Sequence, residues 1–244
     1  MALPSLVACG GGNPPAATPA TTTNAVAAPS ASASAPTVEP PKAVNAGQCL
    51  ATPLLDDAED GDNKGKVADQ RGGYWYTFAD SQGSSVEPKG NFQMSKPGAS
   101  GSQYAARMHG KMGPSGILYA GMGFSFTDPK APYDAACCKG LRFMAKKDGK
   151  GTGNVRLKVG DTNTTPEGGV CKSCYNDFGA DLALTNDWKQ YSFAFADMKQ
   201  EPYWGEPQPK IESGRLMQVQ WQVKEPGQEF DIWVDQVEFF DCGK

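Results

Sequence analysis

The chain has 244 residues, with 27 acidic against 23 basic side chains and a formal charge of −4, so it lacks the clustered basic surface that a nucleic-acid partner requires. No run of about 20 apolar residues is present, which excludes a membrane-crossing helix and leaves covalent attachment as the only route to a bilayer. Residues 10–48 contain no aromatic side chain and only two charges, Glu39 and Lys42, among Ala, Pro, Ser and Thr. Such a segment cannot bury enough apolar surface to offset the entropy of ordering it, and it is expected to be a disordered linker spanning roughly 35 Å. Protease is expected to cut it and leave a folded product beginning near Cys49. Residues 49–244 carry every Trp, Tyr and Phe and are long enough for one sizeable core, expected to act as a monomer.

At the N-terminus, Leu6-Val7-Ala8-Cys9 followed by Gly10-Gly11-Gly12 resembles a bacterial lipobox, in which the cysteine is acylated. The resemblance implies that residues 1–9 are the remnant of a lipoprotein signal, that Cys9 carries lipid, and that the protein is exported and anchored at the outer membrane or cell surface. The alternative is a chance cysteine after small residues. Eight residues are too few for a charged and an apolar leader region, so part of the leader is expected upstream.

Six further cysteines, Cys49, Cys137, Cys138, Cys171, Cys174 and Cys242, read as up to three disulfides in an exported chain. Cys49 and Cys242 stand at the two ends of the domain, which commonly lie close together, and that pair is expected first. The tight couples Cys137-Cys138 and Cys171-x-x-Cys174 leave a four-thiolate zinc site as the competing reading.

Within the domain, short alternating runs bounded by Gly, Pro, Asp and Asn predict strands at 74–79, 103–109, 117–126, 141–146, 155–160, 190–196, 216–224 and 230–240. Eight or more such strands predict an all-β fold, an antiparallel β-sandwich of the jelly-roll kind. The run Asp148-Gly149-Lys150-Gly151-Thr152-Gly153 is expected to close a hairpin between the fourth and fifth of them. Period-two alternation places Met217, Val219, Trp221 and Val223 on the core face of the seventh, opposite Gln218, Gln220 and Gln222. By the same rule His109, the only histidine, shares a polar face with Arg107.

The amide row has two readings. It can be the wet side of a sheet, or, with Arg156 or Arg142 nearby, a set of donors and acceptors suited to sugar hydroxyls. Trp204, in a loop flanked by Gly and Pro, is expected to be exposed, whereas Trp75 inside a strand is expected in the core. The acidic run Asp56-Asp57-Ala58-Glu59-Asp60-Gly61-Asp62 offers hard oxygen ligands for Ca²⁺ but departs from the EF-hand pattern; solvated turn residues are the alternative. There is no nucleophile elbow, no phosphate-binding glycine loop and no partnered histidine, so the chain is read as a non-enzyme. A glycoside hydrolase or lyase needs only two carboxylates and stays open as a third reading.

Taken in order, Leu54 to Asp62, Arg71-Gly72-Gly73-Tyr74-Trp75-Tyr76-Thr77-Phe78, Tyr119 to Phe124, Asp177-Phe178-Gly179-Ala180-Asp181, Trp188-Lys189-Gln190-Tyr191 and Phe230 to Asp235 resemble the carbohydrate-binding modules of family 11 type and their galactose-binding-like relatives. The resemblance implies a polysaccharide ligand, a β-glucan or a related polymer, held on a concave sheet without catalysis. The polar faces bearing Arg156, Gln220 and Gln222 fit such a sheet, and Asp177, Trp204 and His109 are further candidate binding residues. The resemblance also implies a structural Ca²⁺ held by Glu59 and Asp235; Asp62, in the acidic run, is a third candidate ligand. Ala58 stands where relatives carry Phe. Relatives are normally fused to a catalytic domain, and a partner-binding surface lipoprotein is the competing class.

Overall fold

The computed structural model describes residues 50–243. Cys9, Cys49 and the segments 1–9 and 10–48, on which the anchor and linker expectations fall, lie outside the described residues. The strands are β1 (Leu54–Asp56), β2 (Tyr74–Ala79), β3 (Ser85–Glu87), β4 (Ala106–Lys111), β5 (Ala120–Ser125), β6 (Gly140–Lys147), β7 (Asn154–Asp161), β8 (Phe178–Ala183), β9 (Lys189–Ala194), β10 (Leu216–Val223) and β11 (Glu229–Phe240). One sheet runs β3-β4-β11-β6-β9, with β1 also on β11; the other runs β2-β5-β10-β7-β8. Every paired neighbour is antiparallel. This is the expected β-sandwich.

Alternation decides which face is dry. Val219, Trp221 and Val223 on β10, Val155, Leu157 and Val159 on β7, and Leu141, Phe143 and Ala145 on β6 are all buried in one core. Trp221 stacks on Trp75 with ring centroids 5.5 Å apart and meets Phe143 edge-on at 5.2 Å. These three rings tie β2 and β10 of one sheet to β6 of the other, each pair adding about 0.5–1.5 kcal/mol beyond its area burial. Trp75 is therefore a core residue, as its strand position indicated.

Two expectations about connections are corrected. The glycine-rich run 148–153 is not a hairpin, because β6 and β7 belong to different sheets. The run instead crosses the sandwich edge, held by hydrogen bonds from Asp148 N to Asp231 O and from Thr152 N to Glu229 O. Cys242 pairs with Cys138, not with Cys49. The register explains this choice: β6 and β11 run antiparallel with Gly140 opposite Phe240, and continuing it by two residues sets Cys138 against Cys242, with Cα atoms 3.9 Å apart. Cys171 and Cys174 bond to each other, which removes the four-thiolate zinc alternative.

Asp56 on β1 is buried, its carboxylate accepting hydrogen bonds from Trp75 Nε1 and Ala58 N. Burial pushes its pKa from 3.8 up to about 7. Below pH about 4 both folded and unfolded states are protonated there and no penalty exists. Between about 4 and 7 the unfolded chain ionises first, so stability falls as pH rises, and above 7 the penalty is constant. Asp56→Asn is expected to flatten that fall and raise the melting temperature at pH 8 more than at pH 4. Parallel melting curves for the two proteins from pH 4 to 8 would place the elevated pKa elsewhere.

Candidate functional site

The second sheet is built in rows across its strands. Tyr76 on β2, Gly123 on β5, Gln220 on β10, Lys158 on β7 and Gly179 on β8 stand side by side; the next row reads Phe78, Gly121, Gln222, Arg156 and Asp181. The third holds Tyr74, Ser125, Gln218 and Gly160, with Asp177 just beyond it. All these side chains face away from the core. The glycines make the surface possible. A Cβ on Gly123 would come within 2.6 Å of the Tyr76 ring, and one on Gly121 within 2.5 Å of the Phe78 ring, so the two aromatic rings lie across the bare backbone of β5.

Loops raise walls around this floor and enclose a cleft of about 500 Å³. Ile117 and Tyr119 come from the loop before β5, Lys130 from the loop after it, Glu167 and Tyr175 from the loop between β7 and β8, and Trp204 from the loop between β9 and β10. Tyr119, Tyr175, Trp204 and Ile117 remain exposed. The cleft thus has flat apolar walls and an amide floor, a combination suited to a ligand with both C–H faces and hydroxyls.

A hydrogen-bond network orients the amides. Lys130 Nζ lies 2.8 Å from Gln218 Oε1, and an ammonium can only donate, so that atom is the oxygen. Tyr76 reaches the same oxygen at 2.6 Å and must donate its single proton to it, leaving the hydroxyl to accept from Gln220 Nε2 at 3.0 Å. Burial pushes the Tyr76 phenol above its ordinary range, so it stays a neutral donor. Gln218 Nε2 is left as a donor and Gln220 Oε1 as an acceptor, side by side on one strand.

Of the residues singled out in the sequence, Gln220, Gln222 and Trp204 line this one cleft. Gln222 also borders an adjoining pocket of about 350 Å³ that contains Arg156 and Asp181. Arg156 is buried, its guanidinium donating to Asp181 Oδ1 at 3.0 Å and to the Lys199 carbonyl at 2.6 Å. Arg142 lies on the other sheet and binds Glu238. Asp177 is 1% exposed, and both its carboxylate oxygens lack a hydrogen-bond partner among the described residues. Lys158 Nζ stands 3.5 Å from it and donates to the Tyr175 carbonyl at 2.8 Å. His109 does not join the site: β4 belongs to the opposite sheet, where His109 stands between Glu87 and Asp231. Sequence reasoning missed Phe78, Lys130, Lys158 and Glu167 as cleft residues; the alternation of Gly121 and Gly123 along β5 was the available signal.

At the acidic run, Glu59 and Asp235 approach one loop. Glu59 Oε1 accepts from Ser102 Oγ at 2.6 Å, Gln103 N at 2.8 Å and Tyr104 N at 3.0 Å. Asp235 Oδ2 accepts from Ala99 N at 2.8 Å, and burial first, with Glu59 adding to it, pushes its carboxyl upward. The donors are hard oxygens of the kind Ca²⁺ takes. Asp62 is occupied differently, accepting from Lys64 N at 2.6 Å. Among the described residues no three acidic, His or Cys side chains cluster for a metal, so a cation here would depend on hydroxyl and carbonyl oxygens such as Ser102 Oγ and Tyr104 O.

No protein-family model matches the chain, and no curated protein does either. Solved structures do. A family 11 carbohydrate-binding module of a cellulosomal cellulase from Clostridium thermocellum superposes with a TM-score of 0.55 at 12% identity, over 79% of this chain and 95% of that one. This chain has the jelly-roll fold of such modules. A family 30 carbohydrate-binding module of another cellulosomal cellulase of the same organism gives a TM-score of 0.54 at 11% identity over 80% of this chain and all of the other. The Clostridium thermocellum family 11 module in complex with a β-1,3-1,4-mixed-linked tetrasaccharide gives 0.51 at 10% identity over 73% of this chain and 95% of that one.

Proposed function

We propose that the protein binds a polysaccharide, a β-glucan or a related polymer, without catalysis, in the cleft over β2, β5, β10, β7 and β8. The observation that carries this reading is the union of an oriented amide floor with exposed aromatic walls on one face of a jelly roll. Residues two apart on a strand are roughly 7 Å apart. Gln218, Gln220 and Gln222 therefore address hydroxyls along an extended chain, while Tyr175 and Trp204 take the apolar faces of its rings. Each cationic group in the cleft has a protein partner: Lys130 contacts Glu167 and Gln218, and Lys158 contacts Asp177 and Tyr175. A neutral glycan meets no uncompensated charge.

Affinity electrophoresis against a panel that includes mixed-linked β-glucan tests the reading. Retardation by at least one polymer, with no release of reducing sugar, is expected. Retardation by none would transfer the cleft to a protein partner, and sugar release would make the protein a hydrolase.

Lipid on Cys9 and display through the 10–48 segment at a cell surface or outer membrane are part of the proposal, and an unmodified Cys9 in mass spectra of the native full-length protein would remove them. Ca²⁺ held by Glu59 and Asp235 with oxygens of the 98–104 loop would pin the region after β1 to β11. A cation that binds only the folded state raises stability with the logarithm of its concentration over Kd. A chelator is expected to lower the melting temperature of the wild type, and Glu59→Gln to blunt that response; identical melting with and without chelator would remove the site.

A further inference from the structure

We propose that the Cys171–Cys174 disulfide is a positioning element for the ligand, holding the aromatic wall of the cleft in its binding geometry and contributing less to the fold than the Cys138–Cys242 disulfide does. The ligand is the glycan of the reading above, on which this inference rests. The two described disulfides differ in what they can do for the unfolded chain. Cys138–Cys242 spans a sequence separation of 104, Cys171–Cys174 a separation of 3. Closing so short a ring removes less than half as much entropy from the unfolded state as closing the long one. Neither of its cysteines is buried, Lys172 and Ser173 between them are exposed, and the segment belongs to no strand.

What the ring does hold is the cleft wall. The Lys172 and Ser173 amides point at Glu206 Oε2, at 2.7 and 3.4 Å, and Glu206 N donates back to Ser173 O at 3.2 Å. Glu206 lies on the loop that carries Trp204. Directly after the ring, Tyr175 sits at φ 75°, a left-handed conformation unfavourable for a residue with a side chain. It is kept there by its N–H donating to Thr164 O at 2.7 Å and its carbonyl accepting from Lys158 Nζ at 2.8 Å. Asn176 completes the link, donating to Glu201 O at 2.8 Å and Trp204 O at 2.6 Å while accepting from Glu201 N at 3.0 Å. Gln200 ties Asn176 O to Glu206 O, at 2.7 and 3.0 Å. Tyr175 and Trp204 are thus mounted on two cross-linked loops, and among the described residues Cys171–Cys174 is the covalent tie within them. A wall ordered before the ligand arrives spares the binding step the entropy of ordering it.

The double variant Cys171→Ser/Cys174→Ser tests this against the wild type by calorimetric titration with the polymer most retarded in electrophoresis, by thermal melting and by amide hydrogen exchange. The proposal expects a loss of affinity of about tenfold or more, a melting temperature lowered by no more than about 8 °C, and faster exchange at Lys172, Ser173 and Tyr175 with unchanged protection in the strands. Unchanged affinity would overturn it, and so would a large drop in melting temperature, which would make the disulfide a brace of the fold. If the wild type binds no glycan, the ligand assignment fails; the exchange data then decide separately whether the ring orders the wall, and unchanged exchange at these amides would overturn that too.

Discussion

Gly123→Val is expected to abolish glycan binding, lowering affinity more than a hundredfold, while the protein still folds. Gly123 stands between Tyr76 and Gln220 in the same row, and a Cβ there would lie 2.6 Å from the tyrosine ring and 3.0 Å from Gln220 Cγ. Valine in a strand interior is otherwise favourable, so the conflict is confined to the concave face. Tyr76 has to leave, and with it go the hydrogen bonds that orient Gln218 and Gln220. Overpacking of this kind costs about 1–3 kcal/mol of stability. The double variant Gly123→Val/Tyr76→Ala relieves the clash and is expected to regain most of the melting temperature without regaining binding. Recovery of binding in the double variant would show that the amides need no orientation by the tyrosine.

How much of this was legible in the sequence follows from which interactions are local. Alternation within a strand is local, and it located β2, β4, β5, β6, β7, β9, β10 and β11 and picked the core-facing residues of β4, β6, β7 and β10. The strands it missed are β1 and β3, three residues each, too short to show a period, and β8, where Gly179, Asp181 and Ala183 dilute the strand signal. Pairing is not local. The glycines of 148–153 make a turn wherever they fall, and only the jelly-roll order sends β6 and β7 into different sheets; the same order, through the β6–β11 register, gives Cys242 to Cys138. His109 was misplaced for this reason, since a polar strand face does not declare which sheet it belongs to.

The amide row shows the limit at the site itself. Its polar face was legible, but Gln218 and Gln222 are buried, and Gln218 lies under Lys130 and Tyr76, which both donate to its amide oxygen from positions far away in sequence. A substitution such as Gln220→Ala therefore removes part of a network and is not a neutral surface change. Some loss of stability is expected alongside any loss of affinity, of the order of 1 kcal/mol for each hydrogen bond.

Trp204 offers the cleaner separation of binding from folding. Trp204 is 44% exposed and lies outside the core cluster, while its backbone carbonyl, which any residue would supply, accepts from Asn176. Trp204→Ala should therefore leave the loop closed by Asn176 and the melting curve nearly unshifted. The lost ring is a large, rigid, partly apolar surface at the mouth of the cleft, the type of residue whose truncation at an interface costs about 2 kcal/mol or more. That corresponds to roughly thirtyfold in affinity. Most of the change is expected in the dissociation rate, since no charge that steers encounter is altered. Trp204→Tyr keeps a flat ring and should recover much of the loss, whereas Trp204→Leu, similar in hydrophobicity but without a plane, should not. Equal recovery by tyrosine and leucine would mean that Trp204 contributes buried area alone and stacks on no sugar ring.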